Sequence, residues 1–229
     1  MEEENTYSDI AALESVSYAR NYNKYIFNLI SKHLQGDEVL DFGAGYGDFC
    51  LYLKNKNKNV TAIEVNAEAI DRLNELSITN YKNIENTGKK FQNIVSLNVL
   101  EHIDNDKKVF HELVESLELG GKIILYLPAS MLIWTKLDEL VQHRRRYSKK
   151  LINDLVKIDK MEIEQIHWVD FVGWATLLIS KIIRLNLEFN KDKIIFYDRF
   201  LFKPFKYLDI LFKYIVGKNI LVVMSKIRD

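Results

Sequence analysis

Three glycines and two carboxylates carry the clearest chemistry in this sequence. Val39-Leu40-Asp41-Phe42 is an apolar run broken by one acid, and it leads straight into Gly43-Ala44-Gly45-Tyr46-Gly47. Glycines at 43, 45 and 47 allow a sharp turn and a close approach of ligand to backbone, where a Cβ would collide. Asp48-Phe49-Cys50-Leu51-Tyr52-Leu53 then reads as the first turns of a helix. A second apolar run, Asn59-Val60-Thr61-Ala62-Ile63, ends in Glu64. A carboxylate at the tip of a second strand reaches the ribose hydroxyls of a nucleoside held over such a turn.

The identity of that nucleoside follows from what surrounds the turn. Dinucleotide sites use Gly-x-Gly-x-x-Gly and rest a pyrophosphate on the helix N-terminus. Here the spacing is Gly-x-Gly-x-Gly, with Asp41 two residues ahead. An acid there suits an ammonium group and opposes a pyrophosphate, which favours S-adenosylmethionine over NAD. A ligand-free strand-turn-helix corner and an NAD-type oxidoreductase are the competing readings. Transfer of a methyl from a sulfonium needs alignment above all, with a base only for a hydroxyl or a protonated amine. His102, just past the fourth strand at the ligand edge of such a sheet, is the first candidate base, with a pKa expected near neutrality. His143, flanked by Asp138 and Tyr147, is the second. The run Arg144-Arg145-Arg146 could clamp a phosphate or carboxylate of the acceptor. The blander alternatives are that His102 orders its loop and that the arginines pair with Asp138, Glu139 or the acidic N-terminus.

The elements that must position these groups alternate. Apolar residues at helical spacing between Ile10 and Leu34 predict one or two helices before the first strand. Strands are expected near 59–63, 81–85, 91–97 and 122–127, with helices near 67–76 and 109–119. That alternation predicts a parallel, doubly wound sheet. Beyond Pro128 a helix over 151–158 and strands over 162–169 and 218–224 would complete it as an antiparallel edge hairpin. The 229 residues suffice for one large α/β domain, and 48% hydrophobic content argues against disorder. Lys plus Arg equals Asp plus Glu at 32 each, so nucleic acid is not the expected partner. One cysteine, Cys50, reads as core filler and points to an intracellular, cytoplasmic chain. Residues 1–9 do not resemble a signal peptide, and the apolar run at 174–179 is too short to span a bilayer. No metal site is assigned from the sequence.

Six stretches together match a family: Arg20-Asn21-Tyr22-Asn23, Val39 to Gly47, Asn98-Val99-Leu100-Glu101-His102-Ile103, Gly120-Gly121-Lys122, Leu127-Pro128-Ala129, and Asp138 through His143-Arg144-Arg145-Arg146-Tyr147. On these the chain resembles the S-adenosylmethionine-dependent methyltransferases with a Rossmann-like seven-stranded sheet. Within them it is similar to a bacterial group often found beside glycosyltransferase genes. The resemblance covers roughly residues 18–150, and the rest only through the final strand. It implies strand order 3-2-1-4-5-7-6 with strand 7 antiparallel; the long stretch between the two late strands reads, from its residues, as a helical insertion between strands 6 and 7. It also implies that Gly43, Ala44 and Gly45, with Gly47, line the methionine moiety and that Asp41 holds its ammonium. Glu64 would take the ribose hydroxyls, Val65 would lie beside the adenine, Asn98 and Val99 under the sulfonium, and Tyr22 over the cofactor. Glu85 is the nearest candidate for the acid expected by the adenine. Two positions depart from the pattern: Gln92 where family members carry Asp, and Gln142 where they often carry Gly.

The resulting expectation is a single domain. Residues 1–36 form N-terminal helices, 37–128 the cofactor core, 129–160 a substrate-side loop and helix, and 171–216 a helical insertion or lid. Its activity would be methyl transfer from S-adenosylmethionine, releasing S-adenosylhomocysteine, to a small-molecule or glycan/lipid-linked acceptor, at oxygen. Asp138, Arg145, Arg146 and Tyr147 would face the acceptor, and His102 and His143 would do the proton chemistry. A catalytically silent cofactor-binding relative, acting as sensor or partner subunit, fits the turn and Glu64 equally well. The aromatic and lysine-rich stretch 189–215 reads as amphipathic helices packed on the sheet or in a homodimer, or as a surface for a membrane face.

Overall fold

Apolar β-branched runs separated by short amphipathic helices build one seven-stranded sheet. The computed structural model describes residues 17–157, 161–185 and 190–227. Helix α1 (Arg20–Ser31) leads into β1 (Glu38–Phe42), α2 (Asp48–Lys54), β2 (Asn59–Ile63), α3 (Ala67–Glu75) and β3 (Thr79–Tyr81). β4 (Phe91–Leu97), α4 (Asp106–Glu115) and β5 (Leu117–Pro128) continue the alternation. Then come α5 (Lys136–Leu140), α6 (Lys149–Val156), β6 (Met161–Val169) and α7 (Phe171–Ile182). The chain proceeds through α8 (Lys191–Phe196), a π-helical stretch Tyr197–Phe202, α9 (Lys203–Phe205) and α10 (Leu208–Phe212) to β7 (Asn219–Lys226). The strand order is β3-β2-β1-β4-β5-β7-β6. β7 runs antiparallel to both β5 and β6, and the other pairs are parallel.

The sheet is covered on both faces, which explains why its strands read as near-continuous apolar runs. Leu40, Ile94, Ile123, Leu125 and Val222 pack on one side with α4 residues Phe110 and Leu113. Val39, Val95, Ile124 and Val223 pack on the other with Ile26 and Ile30 of α1 and Phe49 and Leu53 of α2. The alternation of side chains along β1 sends Asp41 to this second face, beneath α2.

Three elements differ in their boundaries from the sequence reading. β3 is short and early, at 79–81 rather than 81–85. Ile84 is buried although it lies past the strand, in the path back to β4. The expected helix over 109–119 is displaced to 106–115, because the Asn105 side chain caps it by accepting from Lys108 N. β5 starts earlier, at Leu117, and takes Gly120 and Gly121 into an irregular register with β4. The end of the helix expected over 151–158, and the helical reading from Ile10 to 16, lie outside the described residues.

The insertion between β6 and β7 is tied to the sheet by buried acids. Asp198 accepts from the backbone N–H groups of Asn21 and Tyr22, at 3.0 and 2.8 Å, and so caps the N-terminal end of α1. Asp209 accepts from Asp170 N and Phe171 N, at 3.0 and 2.8 Å, where β6 turns into α7.

Candidate active site

The glycine turn at the exit of β1 is a cradle that side chains would fill. Gly43 sits at φ +78°, and a Cβ there would collide with the Val99 side chain. Gly47, at φ +81°, is the left-handed N-cap of α2, and a Cβ there would lie 2.8 Å from Leu73 Cδ2. Glu64, buried at the end of β2, accepts from Gly45 N at 2.7 Å through Oε2, and from Val65 N and Asn66 N at 2.7 and 2.9 Å through Oε1. Three backbone donors fix its orientation, and a carboxylate has about four lone-pair sites, so capacity for a further donor remains. Val65 beside it is 74% exposed and presents apolar surface to whatever rests on the turn.

Asp41 is buried beneath this turn. Its Oδ2 accepts from the Cys50 thiol at 3.1 Å, and its Oδ1 has no donor. Burial, more than the nearby Glu64, raises its pKa to about 7. Cys50 is therefore more than core filler: its thiol, itself pushed up by burial, is the one donor that Asp41 has among the described residues. An orphaned buried acceptor under a cradle without Cβ atoms fits an ammonium-bearing nucleoside, and gives a pyrophosphate a poor neighbour.

At the exit of β4, Asn98 adopts φ +51°, a left-handed conformation that Asn tolerates better than most residues. Its Oδ1 accepts from Asn219 Nδ2 at 3.0 Å. Val99 walls the turn at Gly43, and the 3₁₀ segment Leu100–His102 follows. His102 and His143 come together edge to face, with ring centroids 4.8 Å apart. The pKa of His102 is not near neutrality as expected: partial desolvation of the ring, whose outer side stays open to solvent, and the adjacent His143 push it down to about 4. His143 Nδ1 lies 2.8 Å from Asp138 Oδ1. Burial raises the Asp138 pKa, but the bonds from His143 and Arg146 outweigh it and hold this carboxyl below its ordinary value.

The arginine run turns inward more than outward. Arg146 is buried, with Nε 2.7 Å from Asp138 Oδ1 and a further bond to the Ala129 carbonyl. Arg145 pairs with Asp106 at 2.6 Å, and Tyr147 donates to the same carboxylate at 2.7 Å. Arg144 keeps an exposed guanidinium, 3.2 Å from Asp104. Asp138 also accepts from Thr135 N, closing a capping box on α5. These groups hold the loop carrying His143.

Tyr22 donates to or accepts from Tyr126 OH at 2.7 Å, and its ring meets Phe202 edge-on, so it joins α1 to the insertion. Glu85 is exposed and lines a depression with Lys89, Lys90, Glu115 and Ser116, where β4 and β5 begin. That is the opposite end of the sheet from Glu64. Gln92 does packing work: its Oε1 accepts from Asp37 N at 3.1 Å, ahead of β1. Gln142 sits at φ +56°, the conformation for which glycine is usual. Glu101, fully buried next to His102, was missed by sequence reasoning.

The family model described as "Methyltransferase domain" matches residues 16–170. No curated protein sequence matches the chain significantly. Among solved structures, an S-adenosylmethionine-dependent methyltransferase from Thermotoga maritima is similar with TM-score 0.62 and 15% identity, over 92% of this chain and 91% of that one. The plantazolicin methyltransferase BpumL, in complex with S-adenosylhomocysteine, is similar with TM-score 0.55 and 16% identity, over 99% and 90%. Geranyl diphosphate C-methyltransferase from Streptomyces coelicolor gives TM-score 0.58 and 13% identity, over 89% and 80%. The family match covers more than half of the chain, and the sheet order is the one these folds share. The chain belongs to the methyltransferase domain family and is an S-adenosylmethionine-dependent methyltransferase.

Proposed function

We propose that this enzyme methylates a hydroxyl oxygen on a small-molecule or glycan/lipid-linked acceptor. S-adenosylmethionine supplies a methyl group on a sulfonium, displaced in line by the acceptor. In this reading Asp41 accepts the ammonium through Oδ1, directly or through water. Glu64 takes the ribose hydroxyls, Gly43 to Gly47 cradle the methionine portion, Val65 flanks the adenine, and Asn98 and Val99 form the floor. Residues 37–128 thus hold the donor, while 129–160 and 171–216 shape the acceptor side of one domain.

The single observation that carries the oxygen preference is His143. A hydroxyl must lose a proton during transfer, and an imidazole oriented by a carboxylate on its other nitrogen is suited to receive it. Asp138 orients His143, while Arg146 and Thr135 hold Asp138. A groove lined by Trp134, Thr135, Leu137, Ser180, Arg184 and Leu185 runs between this loop and α7. Trp134, Leu137 and Leu185 give it apolar walls, which supports an acceptor with a hydrocarbon portion.

The test is methyl transfer from labelled S-adenosylmethionine to a panel of hydroxylated sugars, glycolipids and amines. Label is expected in hydroxyl-bearing members. His143→Ala is expected to slow single turnover by roughly 10²–10⁴-fold, with affinity for S-adenosylhomocysteine unchanged. Label confined to amines overturns the oxygen reading, and cofactor binding without transfer to any class favours a silent relative.

A further inference from the structure

One cluster outside the donor cradle has the composition of a metal centre. Glu101, His102 and His143 each offer one ligand atom, and these atoms lie within 4.8 Å of one another. The Glu101 side chain is completely buried, and neither carboxylate oxygen has a hydrogen-bond donor. An acceptor left buried and unpaired costs about 1–3 kcal/mol, more when charged. The nearby Arg146 does not relieve it, because its bonds go to Asp138 and to the Ala129 and Lys218 carbonyls.

His143 gives it no hydrogen bond either. Its Nδ1 is bonded to Asp138 Oδ1, and its Nε2 faces Glu101 Oε1 at 3.8 Å, beyond hydrogen-bond reach. A buried carboxyl facing an imidazole nitrogen is satisfied either by a proton, which burial favours by pushing Glu101 up to about 8, or by a metal cation held between the two groups. His102 stands edge-on to His143 and is open to solvent on its outer side. Two imidazoles and one carboxylate with open positions form a donor set suited to divalent first-row transition metals. The Asp138–His143 bond is the outer-shell arrangement that fixes the tautomer and aim of a metal-bound imidazole. Donor–metal distances of about 2.0–2.2 Å put atoms on opposite sides of an ion about 4.2 Å apart. The atoms of the cluster, all within 4.8 Å of one another, are already near that spacing.

We propose that Glu101, His102 and His143 bind one divalent first-row transition-metal ion, with open positions for an oxygen of the acceptor. Ion binding stands on the cluster alone. Only its use on an acceptor oxygen rests on the function proposed above, where the ion would take over from the free imidazole.

The experiment is a titration of the chelator-treated full chain with Co²⁺, read by visible absorption, with Zn²⁺ as competitor and S-adenosylhomocysteine affinity measured on the same samples. One equivalent is expected to bind and be displaced by Zn²⁺. His102→Ala and Glu101→Gln are expected to weaken it at least tenfold, and Asp138→Asn by 10–100-fold, with cofactor affinity within twofold of the parent. If Glu101→Gln fails to fold, His102→Ala carries the test, since that ring is exposed. Absence of a Co²⁺ spectrum overturns the proposal. So does equal uptake by the parent and His102→Ala, the result expected if His33, His111 or His167 were the ligands. Loss of cofactor binding by the parent would instead strike at the methyl-donor reading and leave the metal site standing.

Discussion

At the scale of single residues, Asp41 is the group whose protonation should govern cofactor binding. Burial raises its pKa to about 7, so a proton occupies it in the free protein at pH 6. An ammonium needs the ionised form, and binding below pH 7 must therefore expel that proton. Affinity for S-adenosylhomocysteine is expected to fall about tenfold for each pH unit below 7, since one pKa unit corresponds to about 1.4 kcal/mol. The linked effect on the ligand-free fold has the opposite sign. The folded pKa lies above the unfolded one, so this group's contribution to stability is complete below about pH 4 and is lost as pH rises to 7. Isothermal titration at pH 6, 7 and 8 checks the first point, and Asp41→Asn should both weaken binding and flatten its pH profile. A parent protein with the same affinity at pH 6 and pH 8 would remove Asp41 from contact with the ammonium.

At the scale of elements, the β1–α2 turn works because it meets the β4 exit without a Cβ between them. Gly43→Ala would press into Val99 from a left-handed backbone. Overpacking and the left-handed penalty together make the expected loss on the order of 2–4 kcal/mol. Denaturant unfolding reads this directly, and Val99→Ala in the same chain should recover part of it. An unchanged midpoint would mean that the two segments do not pack as described. This turn was legible in the sequence because its causes are local: positive φ calls for glycine, and a strand ending in an acid puts that acid at the sheet edge. The sheet order was legible only through a family resemblance, since strand runs alone do not specify neighbours. Glu101 could not be found that way. An acid before a histidine reads as an exposed charge until the fold brings His143 and Asp138 beside it. The same holds for Gln142, whose side chain gives no hint that its backbone takes the role usual for glycine. β3 was misplaced because Ile84, a buried loop residue, extends the apolar pattern beyond the strand.

At the scale of the whole molecule, the balanced charge hides a strongly uneven surface. The insertion leaves Phe200, Ile210, Leu211, Tyr214 and Ile215 more than 60% exposed, next to exposed Lys193, Arg199 and Lys203. Its inner side is satisfied: Phe171 stacks on Phe212 at 3.7 Å, and Phe202 is fully buried between Tyr22 and Tyr25. These outer side chains, among the described residues, are left largely open to solvent. Among the described residues no helix is long and apolar enough to cross a membrane. Burying one such side chain is worth roughly 1.5–3 kcal/mol. The adjacent cations add an attraction that salt screens over about 10 Å at 0.1 M. Co-sedimentation with vesicles containing phosphatidylglycerol is thus expected at low salt, weaker in 0.5 M salt (a Debye length of roughly 4 Å), and lost in a Phe200→Ser/Ile210→Ser/Leu211→Ser variant. Sedimentation velocity on the same two proteins separates the competing occupant. A parent dimer that the triple variant splits, with no vesicle binding by either, would assign this surface to a second copy of the chain and leave the acceptor groove without a membrane beside it.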